Sequence, residues 1–210
     1  MKTFLIIFGV FALGFIFVQV YAMSSQSTTE TYPYEVQKKF DSFEIRNYEA
    51  SLFSSVKLTT GQYGSSSSQG FSILANYIFG GNDKNEQIAM TTPVAMSLED
   101  SMTVMFMVPK KYKKDALPKP NQGQIEFREE PAKTVAAITF GGWADDEKIT
   151  SHKEQLMAAL DAEGIAYTSL FYYLGYNAPY ETVNRRNEVI VELEGWGEWW
   201  IKADISLLMP

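Results

Sequence analysis

The chain has 210 residues, a formal net charge of −7 and no cysteine. That length fits one ordinary domain with its own hydrophobic core, and the acidic balance argues against nucleic acid, whose phosphates need clustered Lys and Arg. The lack of cysteine excludes disulfide staples, thiolate ligation of a metal and cofactor attachment through CxxCH.

Lys2 precedes an uninterrupted apolar run from Phe4 to Val18, and Val20 and Ala22 occupy the −3 and −1 positions of a cleavage site. This is the pattern of a secretory signal peptide over residues 1–22. The apolar core is about 15 residues, short of the roughly 20 that span a bilayer. An exported protein, periplasmic or extracellular, is therefore expected, with no membrane attachment after cleavage. A retained N-terminal anchor is the alternative. Residues 23–33 begin with MSSQSTTET, a polar segment without periodicity that reads as a flexible linker.

The next elements come in a repeated order. The first half reads strand (43–48), strand (52–59), helix (67–79), strand (87–97) and strand (102–108). The second reads strand (125–129), strand (134–140), helix (146–162), strand (168–176) and strand (188–193). Phe43-Glu44-Ile45-Arg46 and Ile125-Glu126-Phe127-Arg128 open the two halves with the same apolar-Glu-apolar-Arg alternation. The Pro-, Lys- and Gly-rich stretch from Lys110 to Gly123 suits a surface crossover between them. The expected fold is α+β: two β-β-α-β-β units related by a pseudo-two-fold, forming a distorted antiparallel barrel flanked by two helices.

Within the first half, Phe71, Leu74, Ala75 and Ile78 fall at i, i+3, i+4 and i+7, the apolar face of a helix. Gly80-Gly81 ends that helix and Asn82-Asp83-Lys84-Asn85 reads as a polar turn. Ser65 to Ser68 are expected to cap its start. Ile88 to Met96, IAMTTPVAM, is strand-like, with Pro93 at an edge or bulge. Near the end of the second half stand Gly175-Tyr176-Asn177-Ala178-Pro179 and Arg185-Arg186-Asn187-Glu188-Val189. Helix, Gly-Gly turn and Met-Thr-x-Pro-Val strand, followed by GY-x-x-P and RRNEV, resemble the SOUL haem-binding protein family over about Tyr34 to Leu193.

The resemblance implies the barrel fold over residues 34–194 and non-covalent binding of haem or a related tetrapyrrole by a non-catalytic protein; a monomer is expected. It implies that Phe71, Leu74, Ala75 and Ile78 form the wall against the porphyrin, with Arg185 and Arg186 as cations for its propionates. Either arginine could instead pin the RRNEV turn to a neighbouring strand. Some members carry a His after an Ile-Arg pair near the first strand; here Ile45-Arg46 is followed by Asn47. His152, the single histidine, is the one imidazole that could ligate iron, although a helix-edge histidine commonly serves structure. Met90, Met96, Tyr172 and Tyr173 are further donors by chemistry.

Two other readings keep the fold: a module for another flat apolar molecule, or a small-molecule hydrolase using a cleft Glu facing Tyr172 or Tyr173. No GxSxG, phosphate-loop or HExxH motif occurs in the sequence. Glu129-Glu130 and Asp145-Asp146-Glu147 read as solvated turns, the latter also suiting a helix N-terminus. Residues 195–210 form a Trp-rich extension, with Trp196, Trp199 and Trp200 expected to pack over a barrel end.

Overall fold

Among the described residues from 29 onward, alternation of apolar and polar residues at period two builds nine strands, and apolar stripes at helical spacing build two helices that pack against them. The computed structural model describes residues 29–196 apart from 60–62 and 100, together with 7–9, 13–14 and 19. The elements are β1 (Tyr34–Lys39), β2 (Glu44–Tyr48), β3 (Ser51–Lys57), α1 (Tyr63–Ile78), β4 (Val94–Ser97), β5 (Thr103–Met107), a 3-10 turn (Lys114–Ala116), β6 (Ile125–Glu130), β7 (Lys133–Gly141), α2 (Asp146–Ala162), β8 (Tyr167–Gly175) and β9 (Arg186–Leu193). Most of the signal-peptide segment, the linker up to residue 28, and Trp199 and Trp200 lie outside the described residues. Among the described residues, no helix is long and apolar enough to cross a membrane.

The strands form one sheet in the order β1-β2-β7-β9-β8-β4-β5-β3-β6, with antiparallel ladders. Exchanging β2 with β6, β3 with β7, β4 with β8 and β5 with β9 turns the order from β2 to β6 into its own reverse. That is what a two-fold relation between β-β-α-β-β units demands. The register obeys it too: Ile45 pairs with Ala136, and its counterpart Phe127 pairs with Ser54, the counterpart of Ala136. The curled sheet is an incomplete, distorted barrel whose edges are β1 and β6.

The pleat sorts the core into two layers. Val189 and Val191 of β9, Ala136, Ile138 and Phe140 of β7, and Val104 and Phe106 of β5 share one cluster with Leu74, Ile78, Ile149, Leu156 and Leu160 of the helices. The intervening residues Ile190, Val135, Ala137, Met105 and Met107 join Tyr32, Tyr48 and Phe53 on the opposite face. α1 lies so close to β5 that a Cβ at Gly70 would overlap the Val104 side chain. Gly80, at φ +106, takes the left-handed conformation after the helix.

Four expectations are corrected. First, β1 was not foreseen; it carries exposed residues and pairs only with β2. Second, the strand expected over 87–97 is reduced to Val94–Ser97. Ile88 N–H donates to the Ile78 carbonyl at 2.8 Å, and Thr92 exchanges backbone bonds of 2.9 Å with Glu30 and Tyr32, so this extended segment pairs outside the main ladder. Third, α1 begins at Tyr63, and Ser65 to Ser68 lie inside it. Its start is held by the Asp146 carboxylate, which accepts from the amides of Tyr63 at 2.8 Å and Gly64 at 3.4 Å. A carboxylate there meets both orphan amides and the positive end of the helix dipole. Asp145 caps α2 by accepting from the Lys148 amide at 2.8 Å, so adjacent acids fix both helix starts together. Fourth, Glu130 is buried, ion-paired to Lys133 at 2.9 Å and Arg128 at 2.6 Å. The segment from Glu30 to Pro33 is likewise tied down, and Tyr32 is buried in the second layer.

Candidate functional site

α1 touches the sheet at Gly70, and beside that contact Phe71, Val94 of β4 and the loop between β8 and β9 border a groove. The result is a groove of two contiguous lobes sharing Phe71, Val94, Gly175, Asn177 and Pro179. The first lobe, with a volume of about 520 Å³, is lined further by Tyr63, Met96, Trp143, Tyr173 and Arg185. The second, about 430 Å³, adds Phe79, Met90, Tyr176, Tyr180 and Glu181. Both volumes fall in the range usual for small-molecule pockets, roughly 300–1,000 Å³. Gly175 forms a floor common to both lobes, where a Cβ would meet the Tyr173 hydroxyl at 3.1 Å.

Arg185 is the cation of the first lobe. Its Nη1 donates to the carbonyls of Ala178 at 3.0 Å and Glu181 at 2.6 Å, and its guanidinium lies 4.0 Å from the Trp143 ring centroid. Its buried Nε has no hydrogen-bond partner among the described residues. A fixed guanidinium with an unused donor, stacked on an indole at the mouth of an aromatic slot, is suited to an anionic group on a flat apolar ligand. Tyr173 closes the inner end, its hydroxyl donating to Asn187 Oδ1 at 2.7 Å. Burial, then the neighbouring Tyr63, pushes that phenol well above its ordinary range, so it stays protonated.

The residues expected at the site divide. Phe71 and Arg185 line the groove, as do Met90, Met96 and Tyr173. Leu74, Ala75 and Ile78 instead lie in the main core, buried against the sheet. Periodicity identified the buried face of α1, and that face is filled by protein. Tyr172 belongs to the opposite layer. His152 does not line either lobe: its ring stacks on Phe140 with centroids 4.0 Å apart, and Nδ1 donates to the Lys148 carbonyl at 2.7 Å. Among the described residues, no cluster of three or more His, Asp or Glu is arranged to hold a metal ion. Trp143, Tyr63 and Glu181 were not anticipated; they sit in or beside loops, where no periodicity marks an inward residue.

Arg186 is placed by the pleat on the far face of the sheet, in a buried ionic network centred on Glu188. Glu188 accepts from Arg46 Nη1 at 2.8 Å, Arg186 Nη2 at 2.6 Å, the Tyr176 hydroxyl at 2.8 Å and the Thr139 hydroxyl at 3.1 Å. Arg186 also donates to the Tyr34 hydroxyl at 2.8 Å. Burial alone would push the Glu188 carboxyl up; the hydrogen bonds and charges of Arg46, then Arg186, outweigh it and hold the carboxyl below its ordinary range. Beside it, burial and the Glu188 charge push the Tyr48 phenol up to about 12. Arg186 thus pins the RRNEV strand and is no free cation for a ligand.

The chain is thus a pseudo-symmetric antiparallel α+β domain with an aromatic groove of small-molecule size beside one helix. The family described as SOUL heme-binding protein matches residues 29–192, and the chain belongs to it. Among its relatives, Heme-binding protein 1 of Xenopus laevis is 30% identical over 169 residues, 76% of this chain and 83% of the relative. Heme-binding protein 1 of Sus scrofa is 27% identical over 188 residues, covering 84% and 94%. Heme-binding protein 2 of Homo sapiens is 29% identical over 157 residues, covering 70% and 76%. Among solved structures, the EcmrR C-terminal domain matches with a TM-score of 0.58 at 13% identity, covering 77% of this chain and 98% of that one. A hydrolase from Listeria innocua matches with a TM-score of 0.54 at 8% identity, covering 75% and 94%. At those identities the likeness is one of fold.

Proposed function

We propose that the chain binds haem or a related tetrapyrrole non-covalently in the first lobe and acts in sequestration or carriage, without catalysis. The observation that carries this is Arg185, stacked on Trp143 with a spare buried Nε at the edge of an aromatic slot, in a chain of this family. Tyr63, Phe71 and Met96 would hold the macrocycle faces, and Arg185 a propionate. Haem supplies the iron and the visible absorption; no histidine lines the lobe, so enclosure by these side chains carries the affinity. A non-catalytic role is supported by Glu188, the carboxylate bonded to Tyr176. It is held ionised between two arginines and has no raised affinity for a proton with which to act as an acid.

Titration of the purified chain with hemin is expected to give a saturable Soret shift. Arg185→Ala should weaken binding by about tenfold, from the loss of a charge-assisted hydrogen bond typically of 1.5–3 kcal/mol. An unchanged titration curve would remove Arg185 from the site.

The protein is also proposed to be exported, on the strength of Lys2, the Phe4 to Val18 run and Ala22. Protein recovered from its native host should begin at or near Met23 by N-terminal sequencing. An intact, membrane-embedded N-terminus would establish an anchor instead.

A further inference from the structure

Exposed apolar side chains gather where the groove opens. Among the described residues from 29 onward, the large apolar side chains left exposed are Val36, Phe79, Trp143, Leu170, Tyr180 and Val183. Trp143 lines the first lobe, Phe79 and Tyr180 line the second, and Val183 stands with Tyr180 in the loop between β8 and β9. These four are each more than half exposed, and they form an apolar rim drawn from three separate segments of the chain.

The same loop holds the end of the N-terminal apolar run. Gln19, the first residue after Phe4 to Val18, donates from Nε2 to the Tyr180 carbonyl at 3.1 Å. Its Oε1 accepts from the Thr182 amide at 3.3 Å and the Thr182 hydroxyl at 3.2 Å. Ile7, Phe8 and Leu13 of the run are themselves more than half exposed, so at those positions the run leaves apolar surface open. Such a run seeks lipid, and Gln19 ties its end to the rim of the groove.

We propose that this rim is a docking face for a zwitterionic lipid bilayer. Trp and Tyr favour the membrane interface, where the ring is buried and its polar edge stays wet. Two cations beside Trp143 suit headgroup phosphates: Arg185 stacks on the indole, and Lys148 Nζ donates to the Trp143 carbonyl at 3.2 Å. The net charge of −7, with Asp145, Asp146 and Glu147 close in sequence to Trp143, opposes an anionic surface and leaves apolar burial as the driving force. Cleavage after Ala22 would remove the run and leave the rim, so the processed protein keeps a membrane contact that its sequence alone does not suggest. Docked this way, the groove opens toward the phase in which flat apolar ligands dissolve. The face itself does not depend on which ligand the groove takes.

Because the sequence has no cysteine, one introduced Cys carries one fluorophore. Full-length Val183→Cys, Phe79→Cys and Val36→Cys chains, labelled with a nitrobenzoxadiazole dye, are mixed with phosphatidylcholine vesicles that contain a doxyl-labelled lipid. Val36 lies on β1, which lines neither lobe. The dyes at Val183 and Phe79 should shift to the blue and be quenched several-fold more than the dye at Val36, and added salt should not reverse this. Equal quenching at all three positions would mean that the N-terminal run sits in lipid with no preferred face of the domain, and would overturn the proposal. Absence of quenching at the rim, or its reversal by salt, would overturn it as well. So would rim dyes shielded without vesicles in a chain that sediments as a dimer, since the rim would then join two copies. All three positions are exposed, so the circular dichroism spectrum should be retained; if one rim variant fails to fold, the other decides. No hemin enters the measurement, so failure of the hemin titration strikes the tetrapyrrole reading and leaves this result standing.

Discussion

Glu188→Ala is expected to cost about 3–5 kcal/mol of folding stability, the range seen when one partner of a buried ion pair is removed. The Glu188 side chain has no solvent exposure, and that of Arg46 is 3% exposed. Truncation would leave the Arg46 guanidinium buried with only Glu44, which pairs with it at 2.9 Å and is itself partly exposed. Arg186, 38% exposed, could turn to water and contributes less. The Tyr176 and Thr139 hydroxyls would lose their acceptor as well. Chemical denaturation should show a large fall in midpoint for Glu188→Ala. A double replacement of Arg46 and Glu188 by Met and Leu should recover much of it, because the deeply buried Arg46 charge is then gone and Arg186 can reach water. An unshifted midpoint for Glu188→Ala would mean that the network carries no stability.

The same network sets the acid response. The Glu188 carboxyl is lowered in the folded state, and so is that of Glu44, where burial pushes up and the bonds from Lys39 and Arg46 outweigh it. A lowered folded value means that the stabilisation is complete above the unfolded carboxyl range, about 4.3 for Glu, and is lost as pH falls through the folded value. The unfolding midpoint should therefore decline below about pH 4, and decline less steeply in the Met/Leu double variant.

The duplicated fold was legible because each half repeats an alternation that survives folding. Phe43-Glu44-Ile45-Arg46 and its counterpart at Ile125 take equivalent places in the sheet. β1 was not legible, since YEVQKK has no apolar face to bury and is ordered by pairing along one edge. The Glu188 network left a readable trace: in a strand, Arg186 and Glu188 share a face with Ile190, so a buried Ile190 places two charges beside it. Read as RRNEV alone, both arginines look equally available, yet the pleat sends Arg186 into the network while Arg185 stays in the loop at the groove. Leu74, Ala75 and Ile78 show the limit of periodicity, which marks a buried face without saying whether protein or ligand buries it. The aromatic and charged loop residues Trp143, Tyr180 and Glu181 gain their roles only when the β8–β9 loop folds over α1.

That distinction within α1 separates two aspartate substitutions one turn apart. Leu74 has no exposure and packs in the main core, so Leu74→Asp should prevent folding by burying a carboxylate where no partner exists, at a cost of several kcal/mol. Phe71 is half-buried, meets the Phe106 ring edge-on at 5.2 Å and lines both lobes, so Phe71→Asp can leave its carboxylate in the open groove. The Phe71→Asp chain should retain its circular dichroism spectrum and lose the Soret shift with hemin, because a porphyrin seated there would have to desolvate the new charge. His152→Ala should alter hemin binding little, since that ring is stacked on Phe140 and bonded to the Lys148 carbonyl. If a folded Phe71→Asp protein keeps the shift and His152→Ala abolishes it, the tetrapyrrole sits against α2 and the groove under α1 serves another ligand.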